Sequence, residues 1–238
     1  MDSAPGPCQI DAVMWAVVPV KDLGAAKERL ANVLAPAERQ GLFRAMVEDV
    51  LAALAAARGL DAVAVVTRDA WAAALAARYG ARVMPEPANR GHTAAVDHAI
   101  AALVASGVRA MLTVPGDVPL ATAAEIEALI AAHRAQPAMT IAPAADRRGS
   151  NAVLLTPPGA VPLRFGPDSF YPHLDAARAR GIEPTVVELA GLARDVDTPE
   201  DLAAFLAAPS ATRAYAYLAA SGIAARLGFR ARRDRAAS

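Results

Sequence analysis

Short apolar runs alternate with longer alanine-rich stretches along the chain, and the alternation predicts strands and helices in turn. Residues 14–20 (MWAVVPV) read as a buried first strand, and Pro36 opens a helix that runs to about Arg58. Residues 61–67 form a second predicted strand. Asp69 then caps a helix ending near Tyr79, with Gly80 just beyond it. Residues 81–84 and 110–114 are the third and fourth strands, with a helix over 93–105 between them. Thr122 caps a helix to about Arg134. Strands at 139–142 and 152–156 flank the polar loop 144–151, and a helix over 168–180 precedes a strand over 184–189. Thr198 with Pro199, Glu200 and Asp201 is a further helix start, and residues 211–227 predict one more amphipathic helix before a basic end.

This order predicts an α/β protein whose mostly parallel sheet carries helices on both faces. In such sheets ligands bind beyond the carboxyl ends of the strands. The rule selects three segments here, after Val20, after Val114 and after Leu189. The expected organisation is an extension over 1–12, a catalytic domain over 13–208, and a C-terminal helix with a basic, disordered tail over 209–238. A helix there could cover the domain or a second subunit, so a homodimer is admitted.

Composition narrows the classes. The 238 residues suffice for one large domain, and 24 basic residues balance 24 acidic ones. A neutral chain has no global pull towards nucleic acid or anionic lipid, so phosphate binding must come from a local cluster. Cys8 is the only cysteine, which rules out an internal disulfide and a cysteine zinc site. The first residues lack a signal-peptide pattern, and no apolar run is long enough to span a bilayer. The expected setting is the cytoplasm, without nucleic-acid or membrane partners.

The chemistry concentrates in four places. In PGDVPL, Asp117 stands at the end of a predicted central strand, where a carboxylate suits a hard cation such as Mg²⁺. The alternative is a turn aspartate bonded to nearby backbone. In DVDTPEDL, Asp195 and Asp197 fall on one face of an extended segment and repel unless a cation lies between them; capping of the next helix explains only one of the two. Lys21, Lys27 and Arg29 follow the first strand and could neutralise a triphosphate and its departing pyrophosphate, or be an ordinary solvated loop. In RFGPDSF, Gly166 and Ser169 precede a helix and could form an anion site, the alternative being simple capping by Asp168. Gly91 before the helix over 93–105 is a second such place, and Glu86, after the third strand, is a candidate nucleotide contact. No P-loop, no GxSxG elbow and no histidine metal spacing are present.

VPVKDLGAAKERL, PGDVPL, RRGSNAVLL, RFGPDSF and DVDTPEDL, in that order, resemble the guanylyltransferases of coenzyme F-420 biosynthesis, the CofC and FbiD type, over about 13–206. The resemblance implies a single-domain, GT-A-like nucleotidyltransferase fold with a mixed, mainly parallel sheet. It implies GMP transfer from GTP to a phosphorylated three-carbon acid, namely 2-phospho-L-lactate, phosphoenolpyruvate or 3-phosphoglycerate. It also implies Mg²⁺ (or Mn²⁺) on Asp117, Asp195 and Asp197, and the acceptor phosphate on Ser150, Gly166 and Ser169. The chain departs from the family in having serine at 150, where threonine is frequent, and Gly91-His92-Thr93 where Gly-Leu-Asn is frequent. Rival readings are a transferase acting on molybdopterin or a sugar phosphate, whose glycine-rich opening loop is absent here, and a non-catalytic nucleotide-binding module.

Overall fold

The computed structural model describes residues 13–21, 27–86, 88, 90–134 and 136–229. The extension over 1–12, the loop over 22–26 and the basic end over 230–238 lie outside the described residues. Seven strands form one sheet: β1 Met14–Pro19, β2 Ala62–Thr67, β3 Arg82–Pro85, β4 Ala110–Thr113, β5 Ala138–Pro143, β6 Ser150–Thr156 and β7 Thr185–Val186. Their order is β3-β2-β1-β4-β6-β5-β7. All run parallel except β6, which is antiparallel to both β4 and β5.

The central strands are apolar on both faces because helices cover both. Along β1, Met14, Ala16 and Val18 join one core, and Trp15 and Val17 join the other. The first core is closed by α1 (Pro36–Ala56), α2 (Ala70–Arg78) and α4 (Ala123–Ala132), through Val50, Leu51, Leu54, Leu75, Ile126 and Leu129. The second is closed by α3 (His92–Ala105) and α5 (Phe170–Arg178), through Val96, Ala99, Leu103, Phe170 and Leu174. Three helices begin where a capping side chain places them. Asp69 accepts from the Ala72 N–H, Thr122 from the Glu125 N–H, and Thr198 from the Asp201 N–H at the start of α6 (Pro199–Ala207).

Two expectations change. The amphipathic helix expected over 211–227 is two helices, α7 (Arg213–Ala220) and α8 (Ile223–Arg226), broken at Gly222, whose φ is 74°. Both pack into a third core with α1 and α6, built from Leu42, Met46, Leu202, Phe205, Leu218 and Ile223. Asp49 of α1 caps α7 by accepting from the Arg213 and Ala214 N–H groups at 2.8 and 2.9 Å. Gly41 lets α7 approach α1, since a Cβ there would overlap the Tyr217 ring. The strand expected over 184–189 shrinks to Thr185–Val186, and residues 187–198 become a loop that crosses back over the carboxyl edge of the sheet. Beyond Val186 the Val187 N–H still donates to the Ile141 carbonyl, at 2.9 Å. Among the described residues no helix is long and apolar enough to cross a membrane.

Candidate active site

The antiparallel β6 decides what meets at the functional edge. Its first residues lie beside the carboxyl ends of β4 and β5, with Pro143 opposite Ser150 and Thr113 opposite Val153. A register shift between Ala142 and Pro143 leaves Asn151 as the extra residue. Strict alternation would place Ser150 with Ala152 and Leu154 in the first core; the bulge sends it to the α5 side instead.

Beyond β4, the Asp117 carboxylate accepts from the Lys27 ammonium at 2.6 Å. The same ammonium donates to Asp197, and the Arg29 guanidinium lies 3.9 Å from that carboxylate. The Val196 N–H donates to the Asp117 carbonyl at 3.0 Å, so the two acidic segments are joined by backbone. Val196 itself is buried in the third core. The Asn151 amide donates to Asp195 at 3.0 Å and to the Leu192 carbonyl at 2.9 Å, which fixes the third aspartate near the pair. Burial opposes the charge on Lys27, but Asp117 and Asp197 outweigh it and hold the ammonium above its ordinary pKa. Burial works against Asp197 too, yet Lys27 and then Arg29 hold it below the usual carboxylate range. Asp195 is pushed up, first by burial, with Asp117 and Asp197 adding to it and the Asn151 bond opposing.

The structure therefore gathers Asp117 and Asp197 on one cation and leaves Asp195 beside them without one. Among the described residues no group of three or more His, Cys, Asp or Glu side chains converges on a single metal position. The donor chemistry still fits a hard divalent cation. Two carboxylates share one ammonium, and Mg²⁺ typically takes one or two carboxylates and completes its shell with phosphate and water. Lys21 is exposed, and its charge acts on His92.

The second half of the site lies at the start of α5. Ser150 and Ser169 are both buried, and the Ser169 hydroxyl donates to Ser150 Oγ at 3.3 Å. Ser150 Oγ is 2.9 Å from His173 Nδ1, and the Arg164 N–H donates to His173 Nε2 at 2.8 Å. The Phe165 N–H donates to Thr93 Oγ1 at 3.0 Å, and the Phe170 N–H to the Arg148 carbonyl at 2.8 Å. These bonds suspend Gly166 in open space, where an added Cβ would meet nothing within 4 Å. The alternative reading, capping of α5 by Asp168, is not seen among the described residues. Asp168 instead accepts from Arg148 at 2.7 Å, and Ser169 is the cap residue without a side-chain bond to the helix backbone.

At the β3 end, Glu86 is buried, and its Oε1 has no partner among the described residues. Gly91 precedes α3 with φ 98°, a left-handed value that suits glycine. His92 was no part of the expected site. Its ring lies 4.4 Å from Phe165, its Nε2 is buried without a partner among the described residues, and burial takes its pKa down to about 4. Sequence reasoning also missed Asn151, Thr93, Gly191 and His173. His173 falls one helical turn after Ser169 and so shares its face, a spacing that could have pointed to it.

The profile of the family described as guanylyl transferase CofC like matches residues 14–235. This chain belongs to that family. Over 190 residues it is 42% identical to the phosphoenolpyruvate guanylyltransferase of Rubrobacter xylanophilus, covering 80% of this chain and 92% of that protein. Over 203 residues it is 36% identical to the 2-phospho-L-lactate guanylyltransferase of Methanothermobacter thermautotrophicus, covering 85% of this chain and 88% of that protein. The solved 4-diphosphocytidyl-2C-methyl-D-erythritol synthase of Anaerococcus prevotii superposes with a TM-score of 0.60 at 13% identity, over 87% of this chain and 96% of that one. This last likeness shows the nucleotidyltransferase fold. As a CofC-like guanylyl transferase the chain is an enzyme, with the acidic cluster and the bonded Ser150, Ser169 and His173 at one sheet edge.

Proposed function

We propose that this guanylyltransferase binds GTP with Mg²⁺ (or Mn²⁺) at Asp117 and Asp197, and transfers GMP to the phosphate of a three-carbon phospho-acid in coenzyme F-420 biosynthesis. The observation that carries the reading is on β6, where consecutive residues serve two sites. Asn151 holds Asp195 beside the carboxylate pair, and Ser150 opens the pocket with Ser169 and His173. Two anionic phosphorus groups must meet in this reaction. The acidic cluster recruits cations for the donor, and the serine pocket offers the acceptor an uncharged cradle of hydroxyls and the Gly166 backbone.

An oxygen of the acceptor phosphate attacks the α-phosphorus, the bond from that phosphorus to the bridging oxygen breaks, and pyrophosphate leaves. An ionised phosphate nucleophile needs no general base, so catalysis rests on positioning and charge neutralisation. When bound, the divalent cation supplies positive charge to the α-phosphate. Lys21 and Arg29 offer further cations to the leaving pyrophosphate, and Lys27 keeps the two aspartates together. Glu86 Oε1 is the acceptor that guanine N1–H and its amine would satisfy, with Gly91 beside the nucleotide.

The test is a turnover panel of phosphoenolpyruvate, 2-phospho-L-lactate and 3-phosphoglycerate, the first two being the acceptors in the relatives' names. Pyrophosphate release is measured with GTP and each acceptor in Mg²⁺ buffer. The expected result is release with GTP and one preferred acceptor. No release with any of the three acceptors overturns the proposed reaction.

A further inference from the structure

We propose that His173 is a positioning residue that fixes the Ser150 hydroxyl as a hydrogen-bond donor aimed at the acceptor phosphate. The inference rests on the acceptor assignment above and adds to it the direction of one proton.

The Arg164 amide carries one hydrogen, and it points to His173 Nε2 at 2.8 Å. Nε2 must therefore present its lone pair. In a neutral ring the proton then sits on Nδ1, which faces Ser150 Oγ at 2.9 Å and donates to it. The Ser169 hydroxyl donates to the same oxygen at 3.3 Å. A serine oxygen has two lone pairs, and both are now occupied. Its own hydrogen is the remaining capacity, and no acceptor for it stands among the described residues. A buried hydroxyl directed outward in this way suits an anionic oxygen. The long Ser169 bond allows that hydroxyl to turn to the phosphate as well, whereas the imidazole is pinned on both sides.

His133 is the internal contrast. It is also buried, with Nδ1 and Nε2 each 2.8 Å from a threonine hydroxyl, Thr140 and Thr156. Hydroxyls can reverse, so neither tautomer is imposed there. The backbone amide of Arg164 cannot reverse, and this difference gives His173 a direction. Burial also keeps the ring neutral near pH 7 by taking its pKa down to about 4.

Two substitutions separate orientation from mere support. Asparagine places its amide near the position of Nδ1, so His173→Asn keeps a donor to Ser150 and gives up the acceptor for Arg164. Glutamine reaches the position of Nε2, so His173→Gln keeps the Arg164 bond and loses the donor. The expected result is an acceptor KM raised about tenfold or more in His173→Gln, the scale of a lost bond to a charged group, with most of it recovered in His173→Asn. Calorimetric GTP affinity stays unchanged in both. Long-range ¹H–¹⁵N spectra of the unaltered protein should show the Nδ1–H tautomer for His173 at pH 7, a readout independent of whether either variant folds. An Nε2–H tautomer, or a His173→Gln protein with the acceptor KM of the parent, overturns the proposal. Ser150→Ala is measured alongside. If it leaves the acceptor KM unchanged, the acceptor assignment itself fails; if it raises KM while His173→Gln does not, only the role of His173 fails.

Discussion

The backbone N–H of Val196 donates to the carbonyl of Asp117 at 3.0 Å, and this bond joins the two acidic segments of the site. Val196 is anchored in the core between α1 and α6, so the aspartates on either side of it are presented to the β4 loop. The pair that results, Asp117 and Asp197, shares Lys27.

The shared ammonium leads to the first prediction. Asp117→Asn or Asp197→Asn keeps the shape and removes a charge, and turnover should fall by about a hundredfold, the scale of losing one key electrostatic contact. Lys27→Met leaves two carboxylates facing each other. With Asp197 at 39% side-chain exposure the cost is discounted from the fully buried scale to about 2 kcal/mol. In that variant Mg²⁺ should raise the melting temperature more than it does in the parent, because the ion takes the place of the lost ammonium. Thermal melts with Mg²⁺ and with chelator check this; equal metal responses, or full turnover in excess chelator, would refute the site.

Glu86 gives the second prediction. Its unpartnered Oε1 should be satisfied by guanine, so ATP should be a poor donor. Glu86→Gln can still accept one bond but not two. GTP efficiency should fall about ten- to a hundredfold, from a bond worth about 1.5–3 kcal/mol, while ITP, which lacks the exocyclic amine, should lose less. Donor kinetics for GTP, ITP and ATP decide it, and equal turnover of ATP and GTP in the parent rules it out.

Much of the fold was legible because buried strands with helices on both faces read as apolar runs, and because Asp69, Thr122 and Thr198 announce their helices. The three segments chosen by strand ends do meet. What the sequence hid were features with no periodic signal. The antiparallel course of β6 and its bulge at Asn151 bring Ser150 to the site, and neither is written in hydrophobic pattern. The strand expected over 184–189 pairs with β5 at Thr185 and Val186 and through the Val187 N–H; tertiary bonds to Asp117, Ala145 and Asn151 shape the segment beyond it. His173 enters the sequence reading only as one of the histidines without metal spacing, and its partners, Arg164 and Ser150, lie 9 and 23 residues away.

Gly191 carries the third prediction. Its N–H donates to Glu125 at 2.6 Å, and a Cβ there would overlap the Leu120 carbonyl and the Glu125 carboxylate. Gly191→Ala should push the loop off α4, costing about 1–3 kcal/mol, the range for overpacking. Turnover should fall as well, since the same loop carries Asp195 and Asp197. Urea unfolding and kinetics together check it; an unchanged protein would mean that the loop has slack.

The pH dependence of stability follows from three histidines, His133 and His173 buried and His92 half-buried. Burial takes His92, His133 and His173 each down to about 4 from an ordinary value near 6.5. For a depressed histidine the stabilisation is complete above the unfolded value and is lost as pH falls from about 6.5 to about 4, on the order of 3 kcal/mol per group. Asp49 and Asp195, held above the carboxylate range chiefly by burial, act in the opposite sense at the lower end. The net expectation is a steep loss between pH 6.5 and 4.5. Urea midpoints across that range test it, and a flat profile would mean that these rings protonate without strain.

The final prediction concerns the acceptor loop. Gly166 hangs between the Phe165 bond to Thr93 and the start of α5, with open space where a side chain would project. A valine there would fill that space, so Gly166→Val should obstruct the acceptor while leaving the donor untouched. Ser169→Ala removes one hydroxyl from a buried pocket that keeps its shape. A hydrogen bond to a charged group is worth about 1.5–3 kcal/mol, so acceptor efficiency should fall about ten- to a hundredfold. The loss should appear in KM for the acceptor. GTP affinity should hold, because the carboxylate pair and Glu86 belong to other segments of the chain. Calorimetric GTP binding beside acceptor kinetics for Ser169→Ala separates the two halves. If GTP affinity collapses while the acceptor KM is unchanged, this loop serves the donor and the assignment is reversed.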